Sequence, residues 1–407
     1  MPFPSRHHTA RRHGRMLACV SAMLAAGGGL AGVISAADPA VPTRIPPRVE
    51  QPAEERAARA RVLRQTYAGP VATWPAPHVD PGVEWRELGL LPAVVHPPEN
   101  PFATAKAELG RALFFDPRLS ASGRVACGTC HKPEHGWAES REVSIPHGAV
   151  PGRNTPTVRN AAFQAALFWD GRAASLEAQA AEALADPHEM AATPAHVIDT
   201  IANTPAHRDR YAEAFPGRPL EFTAVAEAIA CFERTLVGGR SRFDAFLRGD
   251  STALTDPELL GLDLFRREGR CLNCHHGPTL SDGRFHDLGL SFHGRSNEDL
   301  GRHGVTRDPA DKGRFRTPSL RDVTNTPPFM HTGMFQLRGV LNMYNAGMAT
   351  LKRQPFERDD PTFPVKSPLL KPLGLNRQDL ADLEAFLGAL AEPATSGPRP
   401  WDSPGRE

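Results

Sequence analysis

The chain has 407 residues, 23% of them charged and 40% hydrophobic, with a mean hydropathy of −0.37. This is the composition of a soluble globular protein, neither disordered nor membrane-embedded. Its 47 Lys and Arg nearly cancel its 46 Asp and Glu, so no strong field gathers nucleic acid or an anionic membrane, and nucleic acid is excluded as a partner.

Arg6, Arg11, Arg12 and Arg15 precede a small, apolar run from Met16 to Ile34, and Ser35-Ala36-Ala37 offers a cleavage site. Residues 1–37 are therefore expected to be a cleaved secretory signal, with an uncleaved anchor as the alternative. Residues 38–101 form a Pro-rich arm, with thirteen prolines between Pro39 and Pro101. They predict an extended arm or linker broken by one helix over Ala53–Tyr67, with little chemistry of its own. From Phe102 onward apolar residues recur at helical spacing over Thr104–Phe115, Ser175–Ala185, Thr223–Leu236, Pro257–Arg267, Leu337–Tyr344 and Arg377–Leu390. Asn376 suits the N-cap of the last helix, and Thr255-Asp256-Pro257 the start of the fourth. Long loops rich in Gly, Pro, Arg and His, such as Gly277–Pro318, are expected to wrap around something. The chain predicts a mainly α fold of two halves, 102–250 and 251–393, followed by a tail, 394–407.

Each half carries one copy of Cys-x-x-Cys-His: Cys127-Gly128-Thr129-Cys130-His131 and Cys271-Leu272-Asn273-Cys274-His275. Two thiols at this spacing form thioethers to the vinyl groups of one haem, and the histidine that follows becomes the proximal iron ligand. Chance would place about 0.004 copies in a chain of this composition. The two pairs lie too far apart in sequence for one zinc site, and no βαβ pattern supports a thioredoxin-like pair. Two covalently bound haem c groups are therefore expected. Cys231, alone on an amphipathic helix, reads as a buried small hydrophobe.

Two further segments point to chemistry beyond electron carriage. They are Arg153-Asn154-Thr155-Pro156, and the stretch to Met190 holding Phe168-Trp169-Asp170-Gly171-Arg172, Gln179 and Glu189. With Phe232-Glu233-Arg234-Thr235-Leu236 and Phe315-Arg316-Thr317-Pro318-Ser319-Leu320-Arg321, the sequence resembles the bacterial dihaem cytochrome c peroxidases, a family that includes the MauG-type enzymes. The resemblance runs from about Phe102 to Glu392. It implies two cytochrome c-like haem domains with long loops, the N-terminal one peroxidatic (proximal His131) and the C-terminal one for electron transfer (proximal His275). Glu189 matches the family's catalytic acid/base; splitting peroxide needs a group that takes one proton and returns one. Gln179 matches a distal-pocket amide and Trp169 the indole between the haems. Asn154, Thr326 and Pro328 match the ligands of a calcium ion, as hard oxygen donors, and His331 a histidine near the haem propionates, read as structural.

Departures from the pattern leave the subclass open. Aligning Leu337 with the helix that carries the second haem's distal ligand puts Tyr344 at the ligand position, as in MauG-type members. Met343 and Met348 compete for that role. His147 follows His131 at the spacing of the removable distal histidine of the classical peroxidases. The function expected is a periplasmic dihaem peroxidase that reduces hydrogen peroxide with electrons from a small cytochrome c or a cupredoxin. The alternatives are MauG-type oxidation of a partner protein's side chains, or a dihaem electron carrier or redox sensor. A homodimer is among the assemblies the family allows.

Overall fold

The computed structural model describes residues 45–144 and 152–393. The expected signal segment, His147 and the tail 394–407 lie outside the described residues. Among the described residues there are twelve α-helices: α1 Ala53–Thr66, α2 Thr104–Phe114, the single turn α3 Cys127–Cys130, α4 Leu176–Ala185, α5 Pro194–Ala202, α6 Pro205–Ala214, α7 Phe222–Glu233, α8 Arg242–Leu247, α9 Asp256–Arg266, the single turn α10 His303–Thr306, α11 Leu337–Asn345 and α12 Arg377–Ala389. Strand is confined to one antiparallel pair, β1 Phe285–Asp287 and β2 Arg314–Arg316, in which His286 faces Phe315 across the ladder. The fold is mainly α, as the periodicity predicts.

The helix expected in the arm and the six expected from apolar spacing are present. At the start of α12 the Asn376 side chain accepts from the Asp379 amide at 2.8 Å and Asp379 returns a bond from the Asn376 amide at 3.1 Å. This reciprocal cap satisfies two donors that every helix start leaves open. α5 and α6 were not expected. Both begin Thr-Pro, with proline at the first helical position, where its missing amide costs nothing.

Among the described residues the helices bury two large hydrophobic cores and a smaller cluster of Ala161, Leu167, Ala173, Leu176 and Ala230. α2, α4, α5, α6 and α7 surround Leu113, Phe114, Ile201, Ile229 and Phe232. α1, α9, α11 and α12 surround Leu259, Phe265, Leu383 and Phe386. A fully buried Phe such as Phe114 or Phe386 stabilises its core by about 1.5–3 kcal/mol. Each core has one helix crossing that only glycine permits. A Cβ on Gly110 would lie 1.9 Å from the Ala228 carbonyl oxygen, and one on Gly261 2.0 Å from that of Asp382. The side chain's absence lets α2 meet α7, and α9 meet α12, at backbone distance.

The Pro-rich arm is a packed strap, not a free linker. Tyr67, Trp74 and Leu88 belong to the second core. The Tyr67 hydroxyl donates to Asp263 at 2.8 Å, and Arg56 and Arg59 pair with Asp382 and Asp263 at 2.7 and 2.8 Å. The arm thus adds large aromatic surface that α9 and α12 alone could not supply. The Gly277–Pro318 loop does wrap around something: it carries β1, α10 and β2, and its residues from His286 to Pro318 help line the cavity described next.

Candidate functional site

The second Cys-x-x-Cys-His motif opens in a tight turn, entered through Arg270 in the left-handed region (φ 54°). The His275 amide donates to the Cys271 carbonyl at 2.7 Å, and its ring Nδ1 faces the Leu280 carbonyl at 3.0 Å. Toward a carbonyl Nδ1 can only donate, so Nε2 keeps its lone pair for a metal. Burial lowers the pKa of this ring and favours the neutral form that a metal needs. Cys271, Cys274 and His275 line a largely apolar cavity of about 220 Å³. None of these thiols, nor Cys127 and Cys130, is spent in a disulfide.

Tyr344, on α11, lines the same cavity, whereas Met343 and Met348 do not. Burial raises its phenol pKa well above the ordinary value, and the nearby Cys274 and Cys271 raise it further. Trp169 also reaches the cavity wall from the N-terminal half. Its Nε1 donates to the Asn154 carbonyl at 2.8 Å, its own carbonyl accepts from the Arg316 amide at 2.8 Å, and its ring meets His331 edge-on at 6.3 Å.

Arg316, which the sequence leaves without a role, and His331, expected near the haem propionates, test what the cavity can hold. Arg316 is buried and lines it, donating to the Phe168 and Thr317 carbonyls. Among the described residues it pairs with no carboxylate, and burial lowers it to about 10. His331 stacks on Phe315 at 3.6 Å, with its Nε2 buried and lacking a partner among the described residues. A buried cation without counter-charge and an orphaned ring nitrogen are costly unless an acceptor arrives. A flat apolar ring system carrying carboxylates, attached through Cys271 and Cys274, meets both needs, so haem fits.

The first motif repeats the arrangement. The His131 amide donates to the Cys127 carbonyl at 2.9 Å, and Nδ1 faces the Trp137 carbonyl at 3.2 Å. Burial lowers His131 to about 4. Phe114, Trp137 and Phe232 pack edge to face around this turn. Gly128 lets the Phe115 ring lie against the turn, since a Cβ there would stand 2.4 Å from it and push the ring aside.

The loop after α4 returns Met190 to this turn, with its Sδ 3.9 Å from Cys127 Sγ. Glu189 precedes it. Burial, then Asp186 and Glu182, raise its pKa, Arg172 opposes them, and the net result is about 7. Its side chain is still 40% exposed, and Arg172 Nη2 lies 4.0 Å away. Arg172, whose guanidinium lies 3.5 Å over the Phe168 ring, also pairs with Glu182 and with Asp170. Gln179 lies half-buried on α4, one turn before Glu182. Glu233 is a further buried carboxylate that the sequence reading left without a role. Burial raises it to about 8, Oε2 has no partner among the described residues, and its charge acts on Cys127.

Asn154, Thr326 and Pro328 all line the apolar cavity beside Cys271 and Cys274. The Asn154 amide nitrogen donates to the Arg141 and Glu142 carbonyls at 3.2 and 3.1 Å, and among the described residues its Oδ1 accepts no hydrogen bond. Cys231 is fully buried, in keeping with a packing role.

Two separate attachment turns, each followed by a histidine whose Nδ1 is tied to a backbone carbonyl, define a c-type dihaem protein. The chain belongs to the di-haem cytochrome c peroxidase family, whose profile matches residues 104–252. It is 38% identical over 309 residues to the methylamine utilization protein MauG of Methylorubrum extorquens, covering 74% of this chain and 83% of that protein. It is 40% identical over 254 residues to the cytochrome c551 peroxidase of Nitrosomonas europaea, covering 62% and 75%. Among solved structures, a MauG-like protein associated with microbial copper homeostasis superposes with a TM-score of 0.68 at 32% identity, covering 76% of this chain and 95% of that one. The chain is thus an oxidoreductase of the cytochrome c peroxidase type, with haem c as its cofactor.

Proposed function

We propose that this enzyme reduces hydrogen peroxide in the periplasm at the His131 centre, with electrons entering through the His275 centre from a small cytochrome c or a cupredoxin. The bound haems supply the redox equivalents, two electrons per peroxide, and two protons complete the conversion to two waters. The protein's own part is to place and move those protons. Glu189 is the proton carrier. A carboxyl with a pKa of about 7 is present in both forms near neutrality, so it can accept a proton and return it. The observation that carries the reading is the placement of this half-buried carboxyl, next to Met190, whose Sδ lies 3.9 Å from Cys127 Sγ in the first attachment turn. Gln179 orients the oxygen substrate through its amide, and Trp169 joins the two centres electronically.

The two cores support a division into two haem domains, proposed as 102–250 and 251–393, with Phe243 and Phe246 of α8 reaching across that boundary into the second core. Asn154 Oδ1 and the carbonyls of Thr326 and Pro328 would hold a calcium ion at their junction, as hard oxygen donors. Tyr344 is proposed as the second iron's distal ligand, because it reaches the cavity while Met343 and Met348 do not. That preference, with the similarity to MauG, also supports a second reading, in which oxidising equivalents pass to a partner protein's side chains.

The test is steady-state peroxide consumption with a reduced small cytochrome or cupredoxin. Donor-dependent turnover that saturates in both substrates supports peroxide reduction. Peroxide loss that ignores the donor but oxidises an added protein substrate supports the second reading.

A further inference from the structure

A second, polar cavity of about 190 Å³ lies against the second attachment turn, with Asn273 and His286 in the walls of both cavities. It opens toward solvent at Glu84 and Arg284, whose side chains are 85% and 59% exposed and pair at 2.9 Å. On its inner side His276 is 5% exposed, with Nδ1 lacking a partner among the described residues. A polar recess of this size with an orphaned buried nitrogen holds water.

Between the two cavities stands His286, on β1. Its Nε2 faces Asp282 Oδ2 at 2.8 Å, and its Nδ1 faces Ser367 Oγ at 3.4 Å. Ser367 is buried and lines the haem cavity. Cys274 Sγ lies within 4.8 Å of donor atoms of both Asp282 and His286. This trio has metal-site spacing, but thioether formation consumes the sulfur, so the dyad abuts the haem's covalent edge instead. Both charge states of His286 are satisfied where it stands. Neutral, the ring donates from Nε2 to Asp282 and accepts at Nδ1 from the Ser367 hydroxyl. Charged, it donates from both nitrogens, because a serine hydroxyl can turn to accept. Burial pushes the Asp282 carboxyl up, yet the His286 ring and the Arg284 amide hold it below the ordinary carboxylate value, so it stays an anion that stabilises the imidazolium.

We propose that the Asp282–His286–Ser367 chain is a proton-exchange site of the second haem, taking one proton from water in the polar cavity as an electron arrives and releasing it as the electron leaves. The step balances: the donor supplies one electron, bulk solvent supplies one proton relayed through the polar cavity, and no bond to the haem forms or breaks. The proton offsets the charge that the electron adds to a low-dielectric site. The other charged groups are placed differently. Glu84 and Arg284 pair with each other at the solvent end, and His276 faces the polar cavity only. Asp287, next to His286 on β1, lines neither cavity; burial raises it to about 6 against the Gly289 amide, Arg314 and Lys366, so Asp287→Asn separates its share of any pH dependence from that of His286. Arg316 stays cationic throughout.

The proposal rests on the dihaem reading, and its test keeps the two apart. Covalent haem content is measured first on the full holoprotein; fewer than two haems per chain in the wild type overturns both. With two haems present, the second haem's midpoint potential is followed by redox titration from about pH 5 to 9. A proton affinity of His286 that rises about tenfold on reduction lowers the potential by about 59 mV across that range as pH rises. His286→Gln should flatten the dependence. Asp282→Asn, which keeps the shape but removes the anion, should move it to lower pH. A pH-independent wild-type potential, or a His286→Gln variant with two haems and the wild-type slope, overturns the proposal.

Discussion

Glu189→Gln isolates proton transfer at the first centre, because the amide fills the same space without accepting or giving a proton. A general acid–base group contributes about 10²–10⁴ in rate, so kcat/KM for peroxide should fall by that factor, equivalent to about 2.7–5.4 kcal/mol of barrier. The pH profile sharpens the test. Burial, Asp186 and Glu182 raise Glu189 to about 7 against the pull of Arg172, and the first proton transfer uses the carboxylate. Wild-type kcat/KM should therefore rise with pH through about 7 and level off above it. Arg172 Nη2 lies 4.0 Å from the carboxylate, where bare attraction at an effective dielectric of 20 is about 4 kcal/mol. With Glu189 40% exposed, solvent cuts that to roughly 1.4 kcal/mol, one pH unit. Arg172→Gln should accordingly move the midpoint up by about one unit, helped by the freed charge of Glu182. Stopped-flow peroxide consumption across pH, with haem content checked, measures both. Wild-type kcat/KM in Glu189→Gln, or a profile that moves down in Arg172→Gln, would refute the assignment.

Trp169→Phe keeps an aromatic ring beside His331 but loses the Nε1 bond to the Asn154 carbonyl. Stability should fall by about 1 kcal/mol, while electron transfer between the haems, read by flash or stopped-flow spectroscopy, slows with both potentials unchanged. If Tyr344 is the distal ligand, the ferric protein shows no near-infrared sulfur-to-iron charge-transfer band, and Tyr344→Phe raises the second haem's potential, since a phenolate stabilises ferric iron. A band that persists in Tyr344→Phe would give the position to a methionine. Arg321 and Asp244 pair at 2.8 Å with side chains 2% and 0% exposed. Arg321→Leu strands the Asp244 charge, and denaturant unfolding should show a loss of about 3–5 kcal/mol.

What was legible in the sequence was chemistry that needs local spacing. Both attachment turns and their histidines read directly from Cys-x-x-Cys-His, because thioethers and proximal ligand must come from one turn. Helices with an apolar stripe read well, whereas α5 and α6 were hidden behind Thr-Pro starts and, in α6, a polar stretch with no apolar stripe. Glu189, Gln179 and Trp169 were reached through family resemblance, since nothing in a lone Glu or Trp announces a pocket. Arg316, Arg172, Glu233 and the Asp282–His286–Ser367 chain were assigned no role. Their meaning depends on what long-range folding leaves unpaired: Arg316 is informative because no carboxylate among the described residues meets it, and Ser367 meets His286 from 81 residues away. The Pro-rich arm was underestimated for the same reason, because proline content speaks to backbone stiffness and says nothing of Tyr67 and Trp74 entering a distant core.

Peroxide reduction with electrons drawn through the second centre is tested most directly by a single turnover. Holoprotein reduced by its donor, freed of excess reductant and mixed with one equivalent of hydrogen peroxide, should lose two reducing equivalents per peroxide. Oxidation of the second haem should follow that of the first, and it should be slower in Trp169→Phe. Peroxide that disappears while the second haem stays reduced would contradict it.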